Sequence, residues 1–265
     1  MLMRYAMTRA GQVHVREWGA PTAPLLMLLH WTPLSGRMFE ALGPALAARG
    51  WRVLAPDLLG YGRSAPRGAD WRVEDWAAAM VDVVADAGPE SVMDAVVLGG
   101  HLGASVATEM ALGWPDRVRA LVLDGCPFLT PELRAVLLGM AKAPRPSGEG
   151  LERLAWDRVA GVLKEYGVPA EPDRMWPLMI DYLETDFVSS GPVLATHDLR
   201  ARLPQLTHPV LLLGAEGDSL GPSLDVARAL LPAARWHRFH GPDPVHFTAR
   251  LDEYLAPLCA FLEEL

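Results

Sequence analysis

Of the eight histidines in this 265-residue chain, His101 occupies the most demanding place. It is centred in Val96-Val97-Leu98-Gly99-Gly100-His101-Leu102-Gly103-Ala104-Ser105, an apolar run that passes through glycines into a stretch with helical spacing of Val106, Met110 and Ala111. A strand, a sharp turn and a helix in that order present a catalytic side chain at the tip of the turn. Small residues must surround such a tip, because its backbone is strained and the helix crosses close to the strand. With Gly99 and Gly103 as the flanking pair the tip is His101. The alternative register, Gly100 to Ala104, puts the inert Leu102 there and keeps fewer of the small residues. Ser105, a full helical turn further on, reads as a packing residue at a helix start.

Three chemical roles are open to an imidazole at that tip. It can attack an activated acyl carbon, giving an acyl-imidazole that water hydrolyses. It can act as a general base on a bound water, with no covalent intermediate. Or it can donate a hydrogen bond that orients a substrate or a gas molecule while another group moves the proton.

The rest of the chain supplies the scaffold. Short apolar runs at Leu25–His30, Arg52–Ala55, Ala95–Gly99, Ala120–Leu123, Pro209–Gly214 and Arg235–Phe239 read as strands. They alternate with helical stretches at Met38–Arg49, Trp71–Ala87, Gly103–Gly113, Leu224–Leu231 and Leu251–Leu265. That rhythm predicts an α/β protein with a mostly parallel sheet. It breaks between Pro127 and Arg202, where helical periodicity persists without a strand. The chain is therefore divided into a core, 1–126 and 203–265, and a helical cap insertion, 127–202. Ligands in open α/β sheets bind at the carboxyl ends of the strands, where such a cap would roof the site.

Five stretches, in order, resemble the landmarks of the α/β-hydrolase fold superfamily, and the resemblance covers nearly the whole chain. Leu28-Leu29-His30-Trp31-Thr32-Pro33 is similar to the oxyanion loop, with Trp31 where the family usually has Gly. Asp57-Leu58-Leu59-Gly60-Tyr61-Gly62-Arg63-Ser64 resembles its DxxGxGxS turn. The elbow follows, with His101 in place of the usual Ser, Cys or Asp, and continues into Gly113-Trp114-Pro115-Asp116-Arg117-Val118. Gly214-Ala215-Glu216-Gly217-Asp218 looks like the loop that supplies the acid, and Asp243-Pro244-Val245-His246-Phe247 like the loop that supplies the base.

The resemblance implies the order nucleophile, acid, base for His101, Asp218 and His246. Asp218 would accept a hydrogen bond from His246 and stabilise its protonated form. If His101 and His246 lie close they titrate as a pair, and one is neutral near physiological pH. Asp124, at the end of the preceding strand, is the fallback acid, and Asp243 reads as a turn former. The backbone N–H of Leu102, with that of Thr32 or Trp31, would form the oxyanion hole. Such donors are worth about 3 kcal/mol each to a developing oxyanion. The Trp31 side chain either walls that loop or packs against the cap. His30 fits the family's structural histidine, while His14, His197, His208, His237 and His240 have no metal-ligand spacing. No metal and no cofactor are expected.

Composition narrows the partners. A net charge of -8 with scattered basic residues gives no footprint for nucleic acid or an anionic membrane. No run approaches the ~20 apolar residues of a membrane span. The amino-terminal residues lack a secretory pattern, so a soluble, cytoplasmic protein is expected. Cys126 and Cys259 form no CxxC and read as reduced thiols. Trp156, Trp176, Met140, Met175 and Met179 read first as the core of the cap, and a roof of that composition would suit an apolar or aromatic small-molecule substrate. The favoured function is hydrolysis of a carboxylic ester, thioester or lactone. The competing ones are a carbon–carbon lyase or cofactor-free oxygenase on the same scaffold, and a binding protein without catalysis. Were His101 a replacement for Ser, the parent would be a serine esterase. The oligomeric state is not legible.

Overall fold

A computed structural model describes residues 1–88, 94–140, 150–165, 169–185, 187–241 and 250–265. Eight strands form one sheet: β1 (Leu2–Thr8), β2 (Gly11–Trp18), β3 (Leu25–Leu29), β4 (Arg52–Pro56), β5 (Ala95–Gly100), β6 (Val118–Asp124), β7 (Val210–Ala215) and β8 (Arg235–Phe239). Their spatial order is β1-β2-β4-β3-β5-β6-β7-β8. β1, β2 and β4 pair antiparallel, and all later pairs are parallel. β3, β5 and β7 are buried at every residue, as expected of parallel strands covered on both faces.

One face of the sheet carries α2 (Val73–Asp86) and α3 (Leu102–Gly113), with Trp76 fully buried. The other face carries α1 (Leu42–Ala47) and the carboxyl-terminal helix α10 (Leu251–Leu262), against Leu26, Leu28, Val96 and Leu98. α9 (Ser223–Leu230) joins β7 to β8. The six strands expected from the sequence form within a residue or two of their expected bounds. The single helix expected over Met38–Arg49 is instead a 3-10 turn, Gly36–Phe39, followed by the short α1.

The β1–β2 hairpin has no counterpart in the sequence reading. Its inner strand carries His14, Arg16 and Glu17, all buried, so polar residues hide the alternation. Their burial is compensated locally. Arg16 donates to Asp57 Oδ1 at 2.8 Å, His14 Nδ1 lies 2.9 Å from Asp57 Oδ2, and Arg52 donates to Glu17 at 2.7 Å.

Between β6 and β7 the described residues are helical: α4 (Pro131–Met140), α5 (Leu151–Glu165), α6 (Pro172–Glu184), α7 (Phe187–Thr196) and α8 (Leu199–Arg202). α5 and α6 share a small cluster of Ala155, Leu163, Met175 and Met179, separate from the two main cores. Val193 and Leu199 belong to the core beneath α2 and α3 instead. Met175 and Met179 therefore pack inside the insertion, whereas Trp156 and Trp176 face outward. The Met140 side chain lies outside the described residues. No helix among the described residues is long and apolar enough to cross a membrane.

Candidate active site

β5 ends at Gly100 and α3 begins at Leu102, so the turn between them consists of His101 alone. His101 has φ 49° and ψ −115°, the positive-φ conformation that costs a non-glycine residue about 1–3 kcal/mol. Among the described residues no other non-glycine has positive φ. The neighbouring glycines show why the chain must turn here. A Cβ on Gly99 would stand 2.1 Å from the Gly103 carbonyl oxygen, and one on Gly103 would stand 2.3 Å from that of Leu29. Only bare backbone lets the helix cross that close to the strands. Leu102, the tip in the other register, is buried as the first residue of α3.

His101 is held at three points. Its backbone N–H donates to the Asp124 carbonyl at 3.0 Å. Nε2 lies 2.7 Å from Asp218 Oδ2, and the ring stacks on the Trp31 indole with centroids 4.1 Å apart and planes 7° from parallel. Gly125, with φ 61°, makes room for the pair: a Cβ there would stand 2.7 Å from Asp218 Oδ2 and 2.8 Å from His101 Cδ2.

Asp218 sits in the tight turn after β7, where its other oxygen accepts the Leu220 N–H at 2.9 Å. Its side chain is 1% exposed. Burial opposes its charge, but the facing His101, their hydrogen bond and the Leu220 amide hold the carboxyl below its ordinary range. An ionised carboxylate only accepts, so His101 Nε2 carries a proton, and in the neutral ring the lone pair is then on Nδ1.

Asp124 ends β6 beside Gly100 and takes a different state. It is fully enclosed, and burial together with the negative charge of Asp218 pushes its carboxyl up to about 7, against the opposing hydrogen bond from Tyr254 Oη at 2.9 Å. The carboxylate that faces His101 is Asp218, and Asp124 contributes its backbone carbonyl.

The loop after β3 is braced from below. His30 Nε2 accepts the Leu58 N–H at 2.9 Å, which leaves Nδ1 to donate to the Trp31 carbonyl at 2.9 Å. Burial lowers His30 to about 4, so it stays neutral and keeps both bonds. Asp57 fixes the adjoining turn by accepting the Gly36 and Arg63 amides at 2.8 and 3.0 Å. The Trp31 N–H, one of the expected oxyanion donors, points at Met38 Sδ at 3.4 Å. Leu102 N–H is at the first turn of α3, where backbone donors lack intrahelical acceptors. Thr32 Oγ1 lies 3.1 Å from Tyr61 Oη.

Sequence reasoning missed the joint to the helical insertion. Asp181 on α6 accepts from the Ser35 N–H at 3.1 Å, the Ser35 hydroxyl at 2.9 Å and the Arg37 guanidinium at 3.1 Å. Thr185 adds a bond to the Pro33 carbonyl at 3.0 Å. Neither contact has a local signature, since each spans more than 140 residues. Gly125 could have been suspected from its place directly after a strand-terminal aspartate. His246 and Asp243 lie outside the described residues.

Of the remaining histidines, His14 is a buried partner of Asp57, and His197 lies 2.8 Å from Glu109 on α3. His208 lies against the Pro115 carbonyl, His237 packs on Phe239, and His240 pairs with Glu216.

The sheet order and the one-residue turn from strand to helix are those of a single family, and comparison with known proteins agrees. The profile of the alpha/beta hydrolase fold matches residues 24–142. The chain belongs to the α/β-hydrolase fold family. It is 31% identical over 232 residues to the pimeloyl-[acyl-carrier protein] methyl ester esterase of Aromatoleum aromaticum, across 82% of this chain and 89% of that protein. It is 36% identical over 194 residues to epoxide hydrolase B of Mycobacterium tuberculosis, spanning 71% of this chain but 47% of that protein. The crystal structure of the enol-lactonase from Burkholderia xenovorans LB400 superposes with a TM-score of 0.80 at 20% identity, over 98% of this chain and 100% of that one, a likeness of fold.

Proposed function

We propose that this protein hydrolyses a small carbonyl substrate, a carboxylic ester, thioester or lactone with an apolar or aromatic body, using an imidazole carried on the elbow. The observation that carries this reading is the 2.7 Å contact between His101 Nε2 and Asp218 Oδ2. In the family arrangement implied by the sequence, the elbow group attacks and a separate imidazole meets the acid. Here the elbow residue itself meets the acid.

The chemistry follows from that pairing. Asp218 fixes the tautomer and stabilises the imidazolium, so Nδ1 can take a proton from water as the water oxygen bonds to the substrate carbonyl carbon. The tetrahedral oxyanion is stabilised by the Leu102 and Thr32 N–H groups, since that of Trp31 is turned to Met38 Sδ. Collapse breaks the bond to the alcohol or thiol, which leaves with a proton. His246, which follows β8 in sequence, is the second imidazole and handles that leaving-group proton. Asp124, neutral over much of the accessible pH range, does not serve as the acid. No metal or cofactor enters the scheme. Helices α4 to α8 act as the cap, and the reduced cysteines fit a cytoplasmic setting.

A second reading has its own support. His101 replaces a hydroxyl nucleophile by a base, and a base in this position equally removes a proton from carbon or oxygen. That is the first step of carbon–carbon cleavage or cofactor-free oxygenation. The discriminating experiment is turnover of p-nitrophenyl and thioester acyl substrates by the parent, His101→Ala, His101→Ser and His246→Ala, with mass spectrometry for an acyl adduct. Loss of turnover in His101→Ala supports the hydrolase, and an adduct on His101 would make the imidazole the nucleophile. A silent parent with an active His101→Ser variant would move the native chemistry away from acyl transfer.

A further inference from the structure

We propose that Trp31 is the positioning residue for His101, acting through the face of its indole rather than through its backbone. The inference rests on the assignment of His101 as the reacting imidazole, and extends it to what holds that ring in its plane.

A single hydrogen bond from Nε2 fixes the direction of one ring atom. It leaves the ring plane able to tilt through the Cα–Cβ and Cβ–Cγ torsions while Nε2 stays within reach of Asp218, and such a tilt swings Nδ1 away from the reaction centre. A parallel stack removes that freedom, because turning the ring breaks contact over its whole face. The Trp31 and His101 rings are 7° from parallel at 4.1 Å, the geometry that does this.

The indole is itself fixed. It is 6% exposed, and it lies so close over Gly100 that a Cβ there would stand 1.7 Å from Nε1. Its backbone is clamped by Met38 on the N–H side and by neutral His30 on the carbonyl side. The chain departs from the expected landmarks at residue 31 in the oxyanion loop and at residue 101 in the elbow, and those two residues are the ones in ring contact. A larger group at the elbow and a flat aromatic beside it form one device, with Gly100 and Gly125 hollowed out around it.

The test uses the intact protein and Trp31→Ala, Trp31→Phe, His101→Ala and Trp31→Ala/His101→Ala variants. Two readouts are taken: carbon–proton NMR of the His101 imidazole, assigned by its loss in His101→Ala, and steady-state kinetics on the best acyl substrate. The stack predicts ring-current-shifted His101 resonances that move toward the exposed-histidine position in Trp31→Ala and stay near the parent in Trp31→Phe. It also predicts that kcat falls roughly 10- to 100-fold in Trp31→Ala with KM within about twofold, as expected of a reacting group loosened by about an ångström. Trp31→Phe restores most of kcat, and Trp31→Ala has no further effect in the His101→Ala background. His101 resonances unmoved by Trp31→Ala would overturn the proposal, as would a rise in KM at constant kcat or failure of Trp31→Phe to rescue. If the parent turns over no acyl substrate, the hydrolase reading fails while the NMR comparison still decides whether Trp31 positions the ring.

Discussion

Replacing Asp124 by Asn is expected to stabilise the protein at pH 8 and to change little at pH 3.5. Asp124 is fully enclosed at the end of β6, and burial with the nearby charge of Asp218 lifts its carboxyl from 3.8 to about 7. The unfolded chain releases this proton near pH 4, whereas the native protein holds it until about 7. Between those values the native state binds more protons than the unfolded state, so stability falls as pH rises and levels off above 7. The gap of about three units, at 1.36 kcal/mol each, makes the fall about 4 kcal/mol. Asn has the shape of the neutral acid, accepts the Tyr254 hydroxyl that Asp124 accepts at 2.9 Å, and does not titrate. The variant thus escapes the fall. Urea unfolding at half-unit steps from pH 3.5 to 8.5 should show two midpoints that coincide at the acid end and separate by roughly 1 M or more above pH 7. A difference independent of pH, or a less stable variant at pH 8, would refute the protonated-carboxyl argument.

Other substitutions probe the same construction. Asp218→Asn removes the acceptor that fixes the His101 tautomer, and kcat on an acyl substrate should drop roughly 10³- to 10⁴-fold with the fold intact by circular dichroism. Gly125→Ala places a methyl group 2.7 Å from Asp218 Oδ2 at a positive-φ position; activity should fall at least tenfold and stability by about 1–2 kcal/mol, read by kinetics and urea melts. Asp57 is held down at about 2: burial opposes its charge, but His14, Arg16 and the Arg63 amide outweigh it. Its contribution of about 2 kcal/mol is therefore present above pH 4 and lost as pH falls through 2. Asp57→Ala, which also takes the buried partner from His14 and leaves buried Arg16 with the more exposed Glu40, should cost about 3–5 kcal/mol at pH 7 in the same unfolding assay.

The centre of the parallel sheet was legible because β3, β5 and β7 are uninterrupted apolar runs, and the elbow because glycine spacing records where backbones must touch. The β1–β2 hairpin was not, since its buried residues include His14, Arg16 and Glu17, whose partners Asp57 and Arg52 come from distant segments. The site was legible in its parts more than in its contacts. His101 and Asp218 were named, but the contact between them was not, because it joins residues 117 apart in the chain and only the fold brings the elbow imidazole onto the carboxylate. The stack with Trp31 was hidden for the same reason: residues 31 and 101 follow the ends of the neighbouring strands β3 and β5, and nothing in either segment alone records that their rings face each other.

The buried carboxylate at Asp218 also constrains how this site could be reached by single substitutions. The strained tip is imposed by Gly99 and Gly103, so the backbone will accept serine in place of histidine. The charge will not accept it so readily, because serine is too short to reach Asp218 and would leave a 1%-exposed carboxylate without its imidazole. A lineage passing between serine and histidine at this tip must therefore keep a second imidazole within reach of Asp218 throughout the exchange. The order of the steps is set by that stranded charge rather than by the fold.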